Sequence, residues 1–225
     1  KKPVLYADPE IERSFALEKA AQQVLREGAA PDKEVGSDVF DCIVGSYGSL
    51  RSQIQLAKAS VLYPPNGLHT LIIGETGVGK SLLAETMWRY AAAVKTPLSG
   101  GERLEPPFVT FSCADYADNP QLLVSQLFGH VRGAFTGAEE DKVGVVERAD
   151  GGILFLDEIH RLPPTGQELL FLLMDKGVYR RVGDSKERRA NLMIIGATTE
   201  QPQSALIGTF RRRIPVQIEL PSLRD

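Results

Sequence analysis

The chain has 225 residues, enough for one large domain or one and a half with a sizeable core. Hydrophobic residues make up 43% and charged residues 24%, as in an ordinary soluble globular protein, and 26 basic against 29 acidic residues leave no basic field of the kind that grips nucleic acid. Two distant cysteines, no apolar run approaching about 18 residues and no signal-peptide pattern argue against a disulfide framework, a zinc site, membrane insertion and secretion.

Reduced thiols and a cytoplasmic setting are the simplest expectation. The chain starts at Lys1 without Met and is expected to be a piece of something longer. Asp8-Pro9-Glu10 reads as an N-cap, a proline at the first helical position and an acidic first turn, and helix formers continue to Gly28. Ala29 to Asp38, with Pro31 and Gly36, reads as a linker, so residues 1–38 are expected to be a helix and linker ahead of a domain over 39–225. Phe40, Ile43 and Val44 then lead into the glycine turn at Gly45, and a helical stretch follows from Leu50 to Ala59. Ile43, Val44 and Gly45 either line an adenine pocket or simply pack the core.

The next stretch is Gly74-Glu75-Thr76-Gly77-Val78-Gly79-Lys80-Ser81, which fits the P-loop pattern at every fixed position. The apolar run Leu71-Ile72-Ile73 supplies the strand before it, and Leu82 to Ala93 the helix after it. In such a loop the glycines let successive N–H groups face the phosphates, while Lys80 reaches the β and γ oxygens and the Ser81 hydroxyl binds Mg²⁺. ATP with Mg²⁺ is therefore the expected ligand.

Lys95 to Pro107 reads as a loop, Phe108 to Phe111 as a short strand and Gln121 to Phe128 as a helix. The glycines of 129–138 argue against a helix that simply continues. Ile153-Leu154-Phe155-Leu156 is an unbroken apolar strand that ends in Asp157-Glu158. Gln167 to Lys176 carries leucines at helical spacing, and Leu192 to Ala197 and Val216 to Leu220 complete five strands. Strands alternating with helices predict a three-layer α/β/α fold around a mostly parallel five-stranded sheet.

Asp157 is the candidate Mg²⁺ ligand beside Ser81, and Glu158 the candidate base for the attacking water. Phosphoryl transfer also calls for positive charge at the transition state. Arg211-Arg212-Arg213 is the candidate source, with Arg180-Arg181 and Arg188-Arg189 competing.

These motifs, together with Gly133-Ala134-Phe135-Thr136-Gly137-Ala138 and Gln126-Leu127-Phe128-Gly129-His130, resemble the AAA+ central domain of bacterial sigma-54-dependent activators. The six-residue GAFTGA run is the specific part of that resemblance, which extends from about Phe40 to Asp225. It implies a loop at the pore of a ring, most simply a hexamer, whose Phe135 and Thr136 are held out by glycines to touch sigma-54. It also implies ATP hydrolysis that drives open-complex formation, a DNA-binding domain elsewhere, and a helical lid that would lie beyond Asp225. Tyr63-Pro64-Pro65 and Asn66-Gly67-Leu68-His69-Thr70 are closest to the LevR-type subgroup, whose members carry phosphotransferase-system regulation domains.

Three positions depart from the family pattern. Ser112 stands where an Asn usually partners the catalytic Glu, Thr199 where the fourth-strand sensor is usually Asn, and the finger segment is shortened to Phe210 through Ile214. Arg212 and Arg213 are the expected finger, and Ser112 is expected to hold Glu158 by its hydroxyl, away from water until the γ-phosphate arrives. The alternatives are a sigma-54-binding scaffold with little hydrolysis and a DNA-remodelling motor of the helicase-loader kind.

Overall fold

The computed structural model describes residues 38–95 and 105–222. The helix expected over 8–28, nearly all of the linker after it and most of the 95–107 loop lie outside the described residues. In chain order the strands are β1 (Thr70–Ile73), β2 (Phe108–Ser112), β3 (Gly129–His130), β4 (Lys142–Val143), β5 (Ile153–Asp157), β6 (Val178–Tyr179), β7 (Arg188–Arg189), β8 (Met193–Thr198) and β9 (Val216–Glu219). The helices are α1 (Arg51–Leu62), α2 (Lys80–Lys95), α3 (Pro120–Phe128), α4 (Val145–Arg148), α5 (Pro164–Lys176), α6 (Pro202–Ala205) and α7 (Gly208–Arg211).

The expected five strands form one sheet in the order β2-β5-β8-β1-β9, and each neighbouring pair is parallel. The apolar runs are unbroken in β1, β5 and β8 because both faces of the sheet are covered. Leu71, Ile73, Leu154 and Leu156 point to one side, where Leu170 and Leu173 of α5 and Leu123 and Leu127 of α3 meet them. Ile72, Ile153 and Phe155 point to the other, against Ile54 and Val61 of α1 and Leu83 and Met87 of α2. At the β9 edge this changes: Val216 and Ile218 are buried, whereas Gln217 and Glu219 are exposed. Alternation reappears there because a second layer does not cover that face.

Local chemistry sets the helix ends. The Asn119 side chain accepts the Leu122 N–H at 3.0 Å at the start of α3, and Pro120 follows at the first position. Gly177, at φ 65°, closes α5 by donating its N–H to the Leu173 carbonyl at 2.8 Å.

Two antiparallel hairpins, β3-β4 and β6-β7, stand apart from the main sheet. Neither was legible in the sequence, since each strand is only two residues long. They are stitched together: the Val131 N–H donates to the Val182 carbonyl at 3.1 Å, and the Val182 N–H to the Gly129 carbonyl at 2.9 Å. The LevR-type segment ahead of β1 has a structural task of its own. Asn66 pairs side chain to side chain with Asn191, and His69 Nδ1 accepts the Ile194 N–H at 3.0 Å, so the segment fastens the start of β1 to the start of β8.

Candidate active site

The P-loop links β1 to α2. Gly77 and Gly79 sit at φ 86° and 98°, and a side chain at either would point into open space rather than into protein. The two glycines therefore leave the loop backbone uncovered just ahead of the α2 N-terminus. Glu75, Thr76, Ser81 and Leu82 are exposed around it, Val78 is partly buried, and Gly74 packs against Leu220.

Lys80 is 7% exposed, and its ammonium donates to the carbonyls of Gly74 and Glu75, both at 2.9 Å. Among the described residues no carboxylate pairs with it. A nearly buried cation satisfied only by two carbonyls is matched to an anion from outside the chain, and a polyphosphate fits both its charge and the uncovered backbone.

Asp157 ends β5, paired in register with Ser112 at the end of β2. Its Oδ1 accepts the Glu158 N–H at 3.0 Å. Ser81 and Asp157 offer oxygens that could hold Mg²⁺, and the described residues hold no group of three or more His, Cys, Asp or Glu that could form a metal cage. Two protein oxygens completed by phosphate oxygens and water suit Mg²⁺, which keeps most of its hydration.

Glu158 is the only non-glycine residue with positive φ among the described residues, at φ 50° and ψ 46°. A residue with a Cβ pays roughly 1–2 kcal/mol for that conformation. Strain of this kind collects at working positions, where the surroundings hold it in place.

The partners of Glu158 differ from the sequence expectation. The Ser112 hydroxyl donates to Asp115 Oδ1 at 3.0 Å, on the turn that follows β2, and so is committed locally. Glu158 Oε2 instead faces β8: the Thr199 hydroxyl donates to it at 3.5 Å, and Nε2 of His160 lies 3.3 Å away. His160 was missed because a lone histidine two residues after a carboxylate carries no sequence signal. Cys113, between these acids and the core, is buried, and burial with the nearby Asp157 and Glu158 charges pushes its thiol up to about 12, which makes it inert.

Ile43, Val44 and Gly45 separate in the structure. Ile43 belongs to the core beneath α1 and α2, Val44 is 94% exposed, and Gly45 opens the turn at φ 86°. Core packing thus accounts for Ile43, and Val44 lies outside that core on the surface.

The arginines separate too. Arg213 stacks on Phe171 at 5.0 Å, with its Nε 3.2 Å from Asp175 on α5, so it is engaged within its own chain. Arg212 is exposed, and its Nε donates to the Gly208 carbonyl at 3.3 Å. Of the competitors, Arg181 grips Glu147 at 2.9 and 3.1 Å and Arg188 grips Asp184 at 2.6 Å. Arg181 holds the Glu147 carboxyl below the usual carboxylate range, helped by the Tyr179 hydroxyl at 2.9 Å, and thereby ties α4 to the β6-β7 hairpin.

Residues 133–138 form the tip of the β3-β4 hairpin. The Gly133 N–H donates to the Ala138 carbonyl at 2.8 Å and the Ala138 N–H to the Phe135 carbonyl at 3.0 Å, which closes the loop on itself. Ala134 is partly buried, Gly137 and Thr136 are exposed, and Ala138 is buried. Phe135 is not held out: its ring meets His130 edge-on at 5.0 Å and is half-buried. His130 is itself fixed by Ser125 Oγ at 2.7 Å from Nδ1, and this apolar and polar pocket was not visible in the glycine-rich string.

The parallel sheet order, the P-loop after β1 and the acidic pair at the end of β5, with β8 between the two strands, define an AAA+ nucleotide-binding fold. Within it the chain belongs to the sigma-54 interaction domain family, whose model matches residues 43–223. It is 53% identical over 194 residues to the transcriptional regulatory protein LevR of Bacillus subtilis (strain 168), covering 86% of this chain and 20% of that protein. It is 48% identical over 219 residues to the transcriptional regulatory protein DagR of Salmonella typhimurium (strain 14028s / SGSC 2262), covering 96% of this chain and 22% of that protein. The chain thus spans about a fifth of the length of these relatives, and the LevR-type subgroup read from Tyr63 to Thr70 is supported. Among solved structures it resembles NtrX from Brucella abortus, with TM-score 0.61 and 22% identity over 95% of this chain and 41% of that one. RuvB from Thermotoga maritima shares the fold more loosely, with TM-score 0.51 and 19% identity over 83% of this chain and 50% of that one.

Proposed function

We propose that this chain is an ATPase domain that uses ATP hydrolysis to bring its 133–138 loop onto sigma-54 RNA polymerase and drive open-complex formation. The observation that carries the reading is Lys80, nearly buried without an acidic partner in the P-loop. The domain boundary is placed near Val39, with residues 1–38 as a connector.

Lys80 and the backbone of 74–79 bind and orient the triphosphate, and the helix N-terminus adds its positive end. Ser81 and Asp157 would hold Mg²⁺, which when bound neutralises charge on the β and γ oxygens. Glu158 accepts the proton of the attacking water. Arg212, exposed and free of any acidic partner among the described residues, reaches a neighbouring subunit's nucleotide in a ring, most simply a hexamer. Arg213 positions that segment by clamping it to α5.

The γ-phosphate can shift the loop only through contacts that differ between ATP and ADP. Phe135 against His130 is then the stowed state, and ATP favours the state in which that ring contact opens. DNA is contacted by another domain of the intact protein, and the compartment is the cytoplasm, where RNA polymerase works.

Phosphate release by the intact protein tests the reading. Glu158→Gln is expected to bind ATP and not turn it over, and Thr136→Ala to keep releasing phosphate while losing sigma-54 binding. Open-complex formation by Thr136→Ala at the parent rate would sink the loop's role. The scaffold reading draws on one observation, the commitment of Ser112 to Asp115; absence of phosphate release from the intact protein would favour it.

A further inference from the structure

The histidine beside Glu158 occupies a place that the P-loop reading leaves unassigned. The left-handed turn at Glu158 folds the chain into the short helical turn Ile159–Arg161, so that His160 comes back alongside the carboxylate two residues before it. Its side chain is 5% exposed. Nδ1 lies 3.1 Å from Thr198 Oγ1, and Nε2 lies 3.3 Å from Glu158 Oε2 and 3.6 Å from Glu200 Oε1.

The hydrogens can be assigned by satisfaction. Thr198 Oγ1 accepts the Glu200 N–H at 3.0 Å, and its own hydrogen has two possible acceptors, His160 Nδ1 at 3.1 Å and the Glu200 carbonyl at 3.4 Å. If Nδ1 took a hydrogen and Nε2 were bare, a lone pair would face two carboxylates. With the hydroxyl donating to Nδ1, Nε2 carries a hydrogen toward Glu158 and Glu200, and each group in the set is satisfied. A doubly protonated ring would face the two acids in the same way. The orientation at Glu158 therefore holds in either protonation state.

Thr198 has a second attachment. Its carbonyl accepts the N–H of Gly74, the first residue of the P-loop, at 3.2 Å. Continuous contacts thus run from the P-loop through Thr198 to His160 and on to Glu158. They hold Oε2, while Oε1 has no hydrogen-bond donor among the described residues and stays available to a water molecule.

We propose that His160 is a positioning residue for hydrolysis: it pins one oxygen of Glu158 to the end of β8 and the P-loop, so that the other oxygen faces the attacking water. It contacts the carboxylate that was expected to pair with Ser112, whose hydroxyl is spent on Asp115. The proposal rests on the reading of Glu158 as general base. A base misplaced by about 1 Å can lose roughly 100-fold in rate, and that sets the scale of the effect.

The experiment measures kcat, ATP affinity and melting temperature for the intact protein and for His160→Ala, His160→Gln and Glu158→Gln. Glu158→Gln establishes whether the base reading stands. His160→Ala is expected to lower kcat by roughly 10- to 100-fold with ATP affinity within about twofold. His160→Gln, whose amide N–H can take the place of Nε2–H, is expected to recover a large part of that loss. If Glu158→Gln is inactive and His160→Ala turns over at the parent rate, the proposal fails and the base reading survives. Equal losses in Ala and Gln with lowered melting temperatures would make His160 merely structural and also overturn it. If Glu158→Gln turns over at the parent rate, both fall.

Discussion

Glycine at position 158 should give a more stable protein than alanine at the same position, the reverse of the usual order. Both substitutions remove the carboxylate and its contacts with His160 and Thr199, so those losses cancel in the comparison. What remains is the backbone. At φ 50° and ψ 46° a Cβ costs roughly 1–2 kcal/mol, whereas glycine's greater freedom in the unfolded chain costs about 0.5–1 kcal/mol. The difference favours glycine by about 0.5–1 kcal/mol. Urea unfolding followed by Trp88 fluorescence reads it, because the chain's one tryptophan donates to the Pro106 carbonyl at 2.8 Å and stacks on Phe108 at 5.4 Å. With a slope of about 2–3 kcal/mol per molar urea, the Glu158→Gly midpoint should lie roughly 0.2–0.5 M above that of Glu158→Ala. Equal midpoints, or a higher one for alanine, would refute the claim that strain is held at this residue.

Lys80→Met should weaken ATP binding by roughly 10- to 150-fold, the worth of a charge-assisted contact, and titration calorimetry would show it. Burial pulls the His69 imidazole down to about 4, against an opposing hydrogen bond to the Met174 backbone. Its folded value is depressed below the unfolded value of about 6.5, so the fold is fully stable above that pH and loses stability as pH falls toward 4. Between pH 7 and 5 the loss should reach up to about 2 kcal/mol in urea midpoints, and His69→Gln should flatten the slope. Gly129→Ala should destabilise by more than about 3 kcal/mol by the same urea assay, since at φ 81° its Cβ would stand 2.4 Å from the Lys142 carbonyl oxygen. Arg212→Ala should slow phosphate release from the assembled protein with ATP affinity unchanged, whereas Arg213→Ala should chiefly lower the melting temperature by removing the clamp on Phe171 and Asp175.

Much was legible in the chain because it is written in contiguous residues. Apolar or β-rich runs marked the five strands, and the P-loop pattern set the strand, turn and helix around Lys80. The Asp157-Glu158 pair and the GAFTGA string likewise carry their identity in neighbouring positions, where a local backbone shape needs particular residue types. The helix α2 begins at Lys80 rather than Leu82, a small difference of the kind expected at a helix end.

What tertiary structure decided are pairings between residues far apart. Ser112 and Asp157 end paired strands, yet the Ser112 hydroxyl turns to Asp115, three residues on, while Glu158 is met by Thr199, just past the end of β8 and 41 residues away. Arg212 and Arg213 are adjacent in sequence, but one faces solvent and the other Asp175, because only the packing of α5 supplies a partner. Phe135 found His130 by the closure of a hairpin too short to announce itself. Side-chain hydrogen bonds depend on where two backbones meet and which way each Cβ points, and that information exists only once the sheet has brought β2, β5 and β8 side by side.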